Sequence, residues 1–408
     1  MLVAGMNINL PQYWKWSKCQ EVIDVRDGTH DTPKYVSSGY PVITSKNLKT
    51  SGIDFSNVSY ISEADHKEIS KRSKVDKGDI LLAMIGTIGN PVIVDIEKEF
   101  SIKNVALFKL SKSNIYPKYF KYLLDSSIIS IQLDFEQRGG TQKFVSLKVL
   151  RNLLIPLPPL EEQKRIAKIL DKAYEIRRKR KESIRLTDEL LRSTFLDMFG
   201  DPVINPKGWE VKTLGSQIKE LKYGTNSKCS ELQKNNNIAV LRIPNIDNEK
   251  ISWNDLKYTN LDSKEISKLL LKNGDLLFVR SNGNPDYIGR CAIFEEESNR
   301  KAVYASYLIR GRLKSICDFH PAFIRDIIAF PTFRSFLIRE ARTTAGNYNI
   351  NIQGLSSLKL ICPPQDKQEE YLDITTKINR SFLNKQKSLQ ESENLFNSLL
   401  QKAFKGEL

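Results

Sequence analysis

The sequence predicts an α/β protein with an internal pseudo-twofold repeat: two similar mixed α/β globular units separated by two long antiparallel coiled-coil helices. Three observations predict it. Two runs of about forty residues, after Pro158-Pro159 and after Pro363-Pro364, contain no Gly or Pro until Gly200 and Gly406. The two runs overlay without a gap at a constant offset of 205, pairing Leu150 with Leu355, Gln163 with Gln368, Ile169 with Ile374 and Phe199 with Phe404. Between them, turn signals and short apolar runs recur in the same order.

The helical reading rests on spacing. Ile166, Ile169, Leu170, Ala173 and Ile176 recur every three or four residues, as do Tyr371, Ile374, Ile378 and Phe382 in the copy, with Lys, Arg and Glu at most other positions. Paired prolines ahead of acidic residues suit a helix start, where no amide donor is needed and negative charge meets the positive end of the dipole. Gly200 and Gly406 are stops. At ~1.5 Å per residue each helix is roughly 60 Å long with a narrow apolar stripe. Such a stripe needs another helix, most simply its own copy, and Asp in place of Ile169 or Ile374 is expected to break the pair.

The order is then residues 1–157 as a first globular unit, 158–200 as the first long helix, 201–362 as a second unit and 363–408 as the second helix. Each unit begins near a Trp (Trp14, Trp209). Asp27-Gly28-Thr29 corresponds to Tyr223-Gly224-Thr225, and the strand-like Tyr40 to Ile43 to Ile238 to Leu241, leading to Asn47 and Asn245. Lys77-Gly78-Asp79 and Asn273-Gly274-Asp275 read as turns feeding buried strands, and Ile88-Gly89 and Ile288-Gly289 precede another strand. Pro117 and Pro321 open short amphipathic helices, and Gly139, Gly140 and Gly346 return the chain to the long helix. The helices match better than the globular units, so one architecture presents two different surfaces.

With 408 residues, 40% of them hydrophobic, the chain can build ordinary cores. No run approaches eighteen apolar residues and Met1 to Leu10 lacks the features of a secretory signal, which points to an intracellular, cytoplasmic protein without a membrane partner. Five scattered cysteines and three histidines lack metal-ligand spacing. A net charge of +15 suits a polyanionic partner or, equally, a solvated basic surface.

The doubled Leu157 to Gln163 and Cys362 to Gln368 helix starts, the Tyr223-Gly224-Thr225 turn, the Gly-Asp-Leu-Leu type turns (Gly78 to Leu81, Gly274 to Leu277) and the alternation of unit with long helix together resemble the specificity subunit of type I restriction-modification enzymes, over nearly the whole chain. That resemblance implies two target-recognition domains, each reading half of a bipartite, asymmetric site in double-stranded DNA. It also implies helices that space the domains and recruit two methyltransferase subunits, with restriction/translocase subunits in the full complex. Such a chain is non-catalytic and binds no cofactor; S-adenosylmethionine, Mg²⁺ and ATP belong to its partners. Departures at Asp27 and at Gln365-Asp366-Lys367 bear on half-site identity more than on architecture. Independently, two similar units joined by antiparallel helices match the local twofold symmetry of a duplex.

Base reading needs Arg or Lys for guanine and Asn or Gln for adenine. The foremost candidates are Arg280, Ser281 and Asn282 on a turn, with Arg290 just beyond; the alternative is an exposed polar loop. A second loop carries Asn347 and Tyr348, with Arg339 and Arg342 nearby, and its counterparts in the first unit are Gln142 and Lys143. Thr29, His30 and Lys34, with Thr225, Asn226 and Lys228, make a third pair. Lys46, Asn47 and Arg242 close strand ends, where an Asn caps a turn as readily as it meets a base. The run Arg177 to Lys181 is a solvated face or a contact for partner or DNA backbone.

Asn284-Pro285-Asp286-Tyr287 echoes a methyltransferase loop, yet without a Gly-rich cofactor loop it reads as a turn. No Walker-type loop is visible. The rival reading is an intracellular coiled-coil scaffold whose basic surface meets acidic proteins.

Overall fold

The computed structural model describes the chain except residues 1, 4–5, 87, 137–143, 233–236, 248, 296–299 and 345–346, and the side chains of 2–3, 6–7, 135–136 and 342–344. Gln142, Lys143, Gly139, Gly140 and Gly346 therefore lie outside the described residues, as does the side chain of Arg342. The two uninterrupted runs are helices Leu160–Phe199 and Gln365–Ala403. Each stops before a glycine in the left-handed region, Gly200 at φ +76° and Gly406 at φ +74°, where a Cβ would strike Pro206 or Pro11.

The chain divides into two compact units, Met1–Glu182 with Gln386–Leu408, and Ser183–Lys385. Each long helix thus contributes to both. In the first unit Lys181 pairs with Glu393 at 2.9 Å, while Arg165, sixteen residues earlier, donates to the Leu408 carbonyl at 2.9 Å. Moving back along one helix moves forward along the other, so they run antiparallel. In the second unit Lys385 donates to Thr187 at 2.7 Å and Tyr371 meets Phe199 at 5.4 Å, with the same sense.

Ile166, Ala167, Leu170, Phe195 and Phe199 are buried on one helix, and Tyr371, Thr375, Phe396 and Ala403 on the other; Ile169 and Ile374 are half-buried. Ile166, Leu170 and Tyr371 are buried as the spacing predicts, in clusters shared with Pro117–Leu124 and Pro321–Ala329, whereas Ile176 is exposed. The basic run also changes meaning. Arg177 stacks over Phe396 at 4.3 Å, Arg180 bonds Ser388 and Ser392, and Lys181 pairs with Glu393, leaving Arg178 and Lys179 exposed.

The globular parts repeat the order of their main sheets. In the first unit an antiparallel sheet runs Gly89–Ile93, Ile80–Ala83, Val105–Lys109, Asp24–Asp27; in the second the order is Cys291–Ile293, Leu276–Val279, Leu308–Leu313, Ile218–Tyr223. Beside it, Tyr40–Ile43 pairs parallel with Ser101–Ile102 and antiparallel with Ser59–Ile61. Ile238–Leu241 does the same with Ala302–Tyr304 and Lys257–Thr259. Because side chains alternate along a strand, the apolar run Ile80–Ala83 serves two cores: Ile80 and Leu82 join the helices, Leu81 and Ala83 the second sheet. Leu276 and Phe278, against Leu277 and Val279, divide in the same way.

The shared motifs turn out to hold this fold. Gly78 and Gly274 take φ +90° and +83°, and the following Asp79 and Asp275 are buried. Asp79 is paired with Lys109 at 2.6 Å, and Asp275 with Arg312 through two bonds of 2.6 and 2.7 Å. A buried carboxylate needs such a partner. At Gly28 and Gly224 a Cβ would lie 2.2 Å from the Ile102 carbonyl oxygen and 2.1 Å from that of Tyr304. Glycine is required there by backbone approach. Gln163 and Gln368, both buried, tie each long helix to the loop before the Pro helix. Gln163 accepts from the Tyr116 amide at 2.8 Å and donates to Pro158 and Asn114; Gln368 accepts from the His320 amide at 2.9 Å and donates to Pro363 and Asp318.

Candidate nucleic-acid interface

In the second unit, three stretches far apart in sequence converge. The sequence places Arg280 to Asn284 on a turn and 347–349 on a loop; instead Ser281–Asn282 and Asn347–Asn349 are strands of one small antiparallel sheet, with Ser281 opposite Asn349 and Asn282 opposite Tyr348, and Arg342–Thr344 beyond. Short polar strands carry no periodicity of their own, and each is made a strand by the other. The Ile350 amide donates to the Arg280 carbonyl at 2.8 Å, which fixes the register.

The third stretch joins through Tyr223. Its ring lies under the Arg280 guanidinium, 4.6 Å from the centroid, and its hydroxyl accepts from the Ile352 amide at 3.2 Å. Arg280 Nη1 reaches the Ser306 carbonyl at 3.5 Å, and the Ser306 amide donates to Thr225 at 2.9 Å. Asn226 and Asn347 are exposed, and Ser281, Asn282 and Tyr348 are half-buried. The sequence reading missed Tyr307, which is 61% exposed at the head of the adjoining strand while its carbonyl takes the Arg280 amide at 3.0 Å. Its signal was faint: a lone Tyr between a strand end and a strand start.

Arg290 stands apart from this group, its guanidinium 4.1 Å from the Tyr287 centroid and its Nε on the Asp286 carbonyl at 2.9 Å. Residues Pro285–Tyr287 form a short 3₁₀ turn capped by the Asn284 side chain, so this segment is a turn, as its sequence indicates.

In the first unit the Gly-Thr loop is built around a buried carboxylate. Asp27 pairs with His30 at 2.9 Å and with Arg72, and the other ring nitrogen of His30 lies 3.0 Å from Asn104 Oδ1. Both imidazole nitrogens thus face oxygen. An imidazolium satisfies both where a neutral ring donates to one, and the His30 pKa is raised, by the Asn104 bond first and then by Asp27. Arg72 and Asn104 were not singled out from sequence, since an ion pair spanning 45 residues has no local signature. Thr29 is half-buried and its amide donates to the Ile102 carbonyl at 3.0 Å; Lys46 is exposed.

Three candidates are committed to the fold. Asn47 is buried: its Oδ1 accepts from the Thr44 amide and hydroxyl at 3.0 and 2.9 Å, and its Nδ2 donates to Asp54 and Asn57. Both of its amide hydrogens are in use, which is the capping alternative; Asn245 does the same. Thr225 is buried, bonded to Glu265 and Ser227. Arg242 donates to the Asp255 carbonyl at 2.7 Å. Among the described residues no three His, Cys, Asp or Glu side chains are grouped to hold a metal ion, and no helix is long and apolar enough to cross a membrane.

Comparison with known proteins agrees with this arrangement. Residues 11–186 match the family described as the Type I restriction modification DNA specificity domain. The specificity subunit of the type I restriction enzyme EcoKI from Escherichia coli (strain K12) is 25% identical over 399 residues, spanning 92% of this chain and 84% of that one. That of the enzyme StySPI from Salmonella potsdam is 25% identical over 433 residues, spanning 98% and 90%. A chain from a structure described as the structural basis of complex assembly and conformational transition of the type I R-M system shares the fold, at a TM-score of 0.62 and 17% identity over 98% of this chain and 100% of that one. The structural likeness shows the shared fold, and the sequence likenesses identify the chain as a DNA specificity subunit of a type I restriction-modification system, a non-catalytic component.

Proposed function

We propose that each globular unit reads one half of a bipartite, asymmetric site in double-stranded DNA, with the base pairs between the halves left unread. The supporting observation is that the two units share the order of their main sheets while the side chains at matched edge positions differ, Arg280 and Asn226 on one against Met84 and His30 on the other. One scaffold with two unlike edges is what an asymmetric split site requires. Residues 1–157 and 201–362 act as the recognition domains, and 158–200 and 363–408 as the helices that space them and dock two methyltransferase subunits. Restriction/translocase subunits join in the full complex. S-adenosylmethionine, Mg²⁺ and ATP act on those partners, in the cytoplasm.

The test is equilibrium binding of the full chain to one bipartite duplex against scrambled competitors over a range of salt. Affinity should fall steeply with salt while the preference persists, because phosphate contacts release counterions and base contacts do not. A basic scaffold for acidic proteins would show no such preference, and that result would contradict the proposal.

A further inference from the structure

We infer that the first unit reads part of its half-site through an apolar edge, Phe144 with Ile85 against the 5-methyl group of a thymine, at the position where the second unit has the polar pair Asn349 and Ser281. This rests on the proposed base reading and names the chemistry of one half of it.

The equivalence is fixed by backbone geometry. The Val145 amide donates to the Met84 carbonyl at 2.9 Å, as the Ile350 amide does to Arg280 at 2.8 Å. One residue outward, Ile85 bridges Phe144 antiparallel just as Ser281 pairs with Asn349. One residue inward, Ser146 and Asn351 cap the next short helix in both units. The strand leading to each edge follows the same Gly-Asp turn. Side chains at these matched positions are therefore offered to the same kind of surroundings.

Their chemistry is opposite. Met84, matching Arg280, is buried in the core, Ile85 is half-buried, and Phe144 is 45% exposed where the second unit has an asparagine. No hydrogen bond to a base edge is available to Phe144 or Ile85. In the major groove the one apolar group on a base is the thymine 5-methyl, which phenyl and aliphatic side chains recognise by contact. Covering an exposed ring with that methyl also removes apolar surface from water, which gives the contact a driving force independent of the phosphates.

The experiment first locates the bipartite site by sequencing methylated positions in host DNA with and without this chain. The full chain then binds duplexes in which thymine is replaced by 2′-deoxyuridine in one half at a time. Loss of the methyl in one half should weaken binding about three- to five-fold, the worth of one buried methyl group. Substitution in the other half should leave it unchanged. Phe144→Ala should bind thymine and uracil duplexes alike, Phe144→Leu should retain part of the difference, and Arg280→Ala should retain all of it. A wild-type chain indifferent to uracil in both halves, or a Phe144→Ala chain that still discriminates, overturns the inference. Loss of all preference for the bipartite duplex would instead sink the reading beneath it.

Discussion

Arg280 and Tyr223 are 57 residues apart in sequence, and the guanidinium of one lies over the ring of the other, 4.6 Å from its centroid. Neither is placed by its own strand alone. The tyrosine hydroxyl accepts the Ile352 amide at 3.2 Å, and the Arg280 backbone is bonded on both sides, to Tyr307 at 3.0 Å and to Ile350 at 2.8 Å. A long side chain that would lose rotamer freedom on meeting a base has much of that loss met in advance.

Arg280→Ala should accordingly cost about 1 to 3 kcal/mol on the cognate duplex and relax one base position. Binding to a panel of single-base variants of the site measures this. An equal loss on every duplex would make Arg280 a phosphate contact instead. Tyr223→Leu should reproduce part of the Arg280→Ala loss by freeing the guanidinium.

The three histidines should titrate in two directions. His30 is raised above the ordinary imidazole value of 6.5 by the Asn104 bond and Asp27, whereas burial lowers His66 and His320 below it. A raised folded-state pKa means that any stabilisation from His30⁺ is complete below pH 6.5 and is lost as pH climbs through the raised value. His30 is half exposed, so its effect on stability is small. If His30 meets DNA as proposed, its charge is the larger consequence, and affinity should decline as pH rises from 6.5 in the wild type but not in His30→Gln. Proton NMR of the imidazole signals checks the order; His30 titrating below the other two would contradict the geometry.

Gln163 and Gln368 make matching sets of hydrogen bonds in the two units, so Gln163→Leu and Gln368→Leu should each destabilise by about 2 to 4 kcal/mol. Leu fills much of the volume and leaves the Tyr116 or His320 amide unanswered. Chemical denaturation measures the loss. A change under about 0.5 kcal/mol would mean that water replaces the amide.

These residues also show which features the sequence exposes. Helix ends, the Gly-Asp turns and the succession of short strands along the chain were legible because each depends on a few neighbouring residues: Pro159, Gly200, Gly78, Gly274. The interface was legible only in fragments. Nothing local says that Ser281 will find Asn349, that Tyr223 will carry Arg280, or that Asp27 will hold Arg72, because each pairing is made by the closed sheet. Asn47 shows the converse. A polar residue at a strand end has the composition of a base contact, yet its burial and four hydrogen bonds appear only once Asp54 and Asn57 fold back over it.

The central claim is that two linked units read two half-sites at one spacing, and changing the DNA between the halves tests it most directly. Binding of the full chain is measured on duplexes whose intervening base pairs are either replaced at constant length or extended by a single pair, which moves one half along the axis by about 3.4 Å and rotates it around the duplex. Replacement should leave affinity within about two-fold of the cognate duplex, and a one-pair insertion should reduce it toward the level of DNA carrying one half-site alone. Equal affinity for the extended and cognate duplexes would contradict the account.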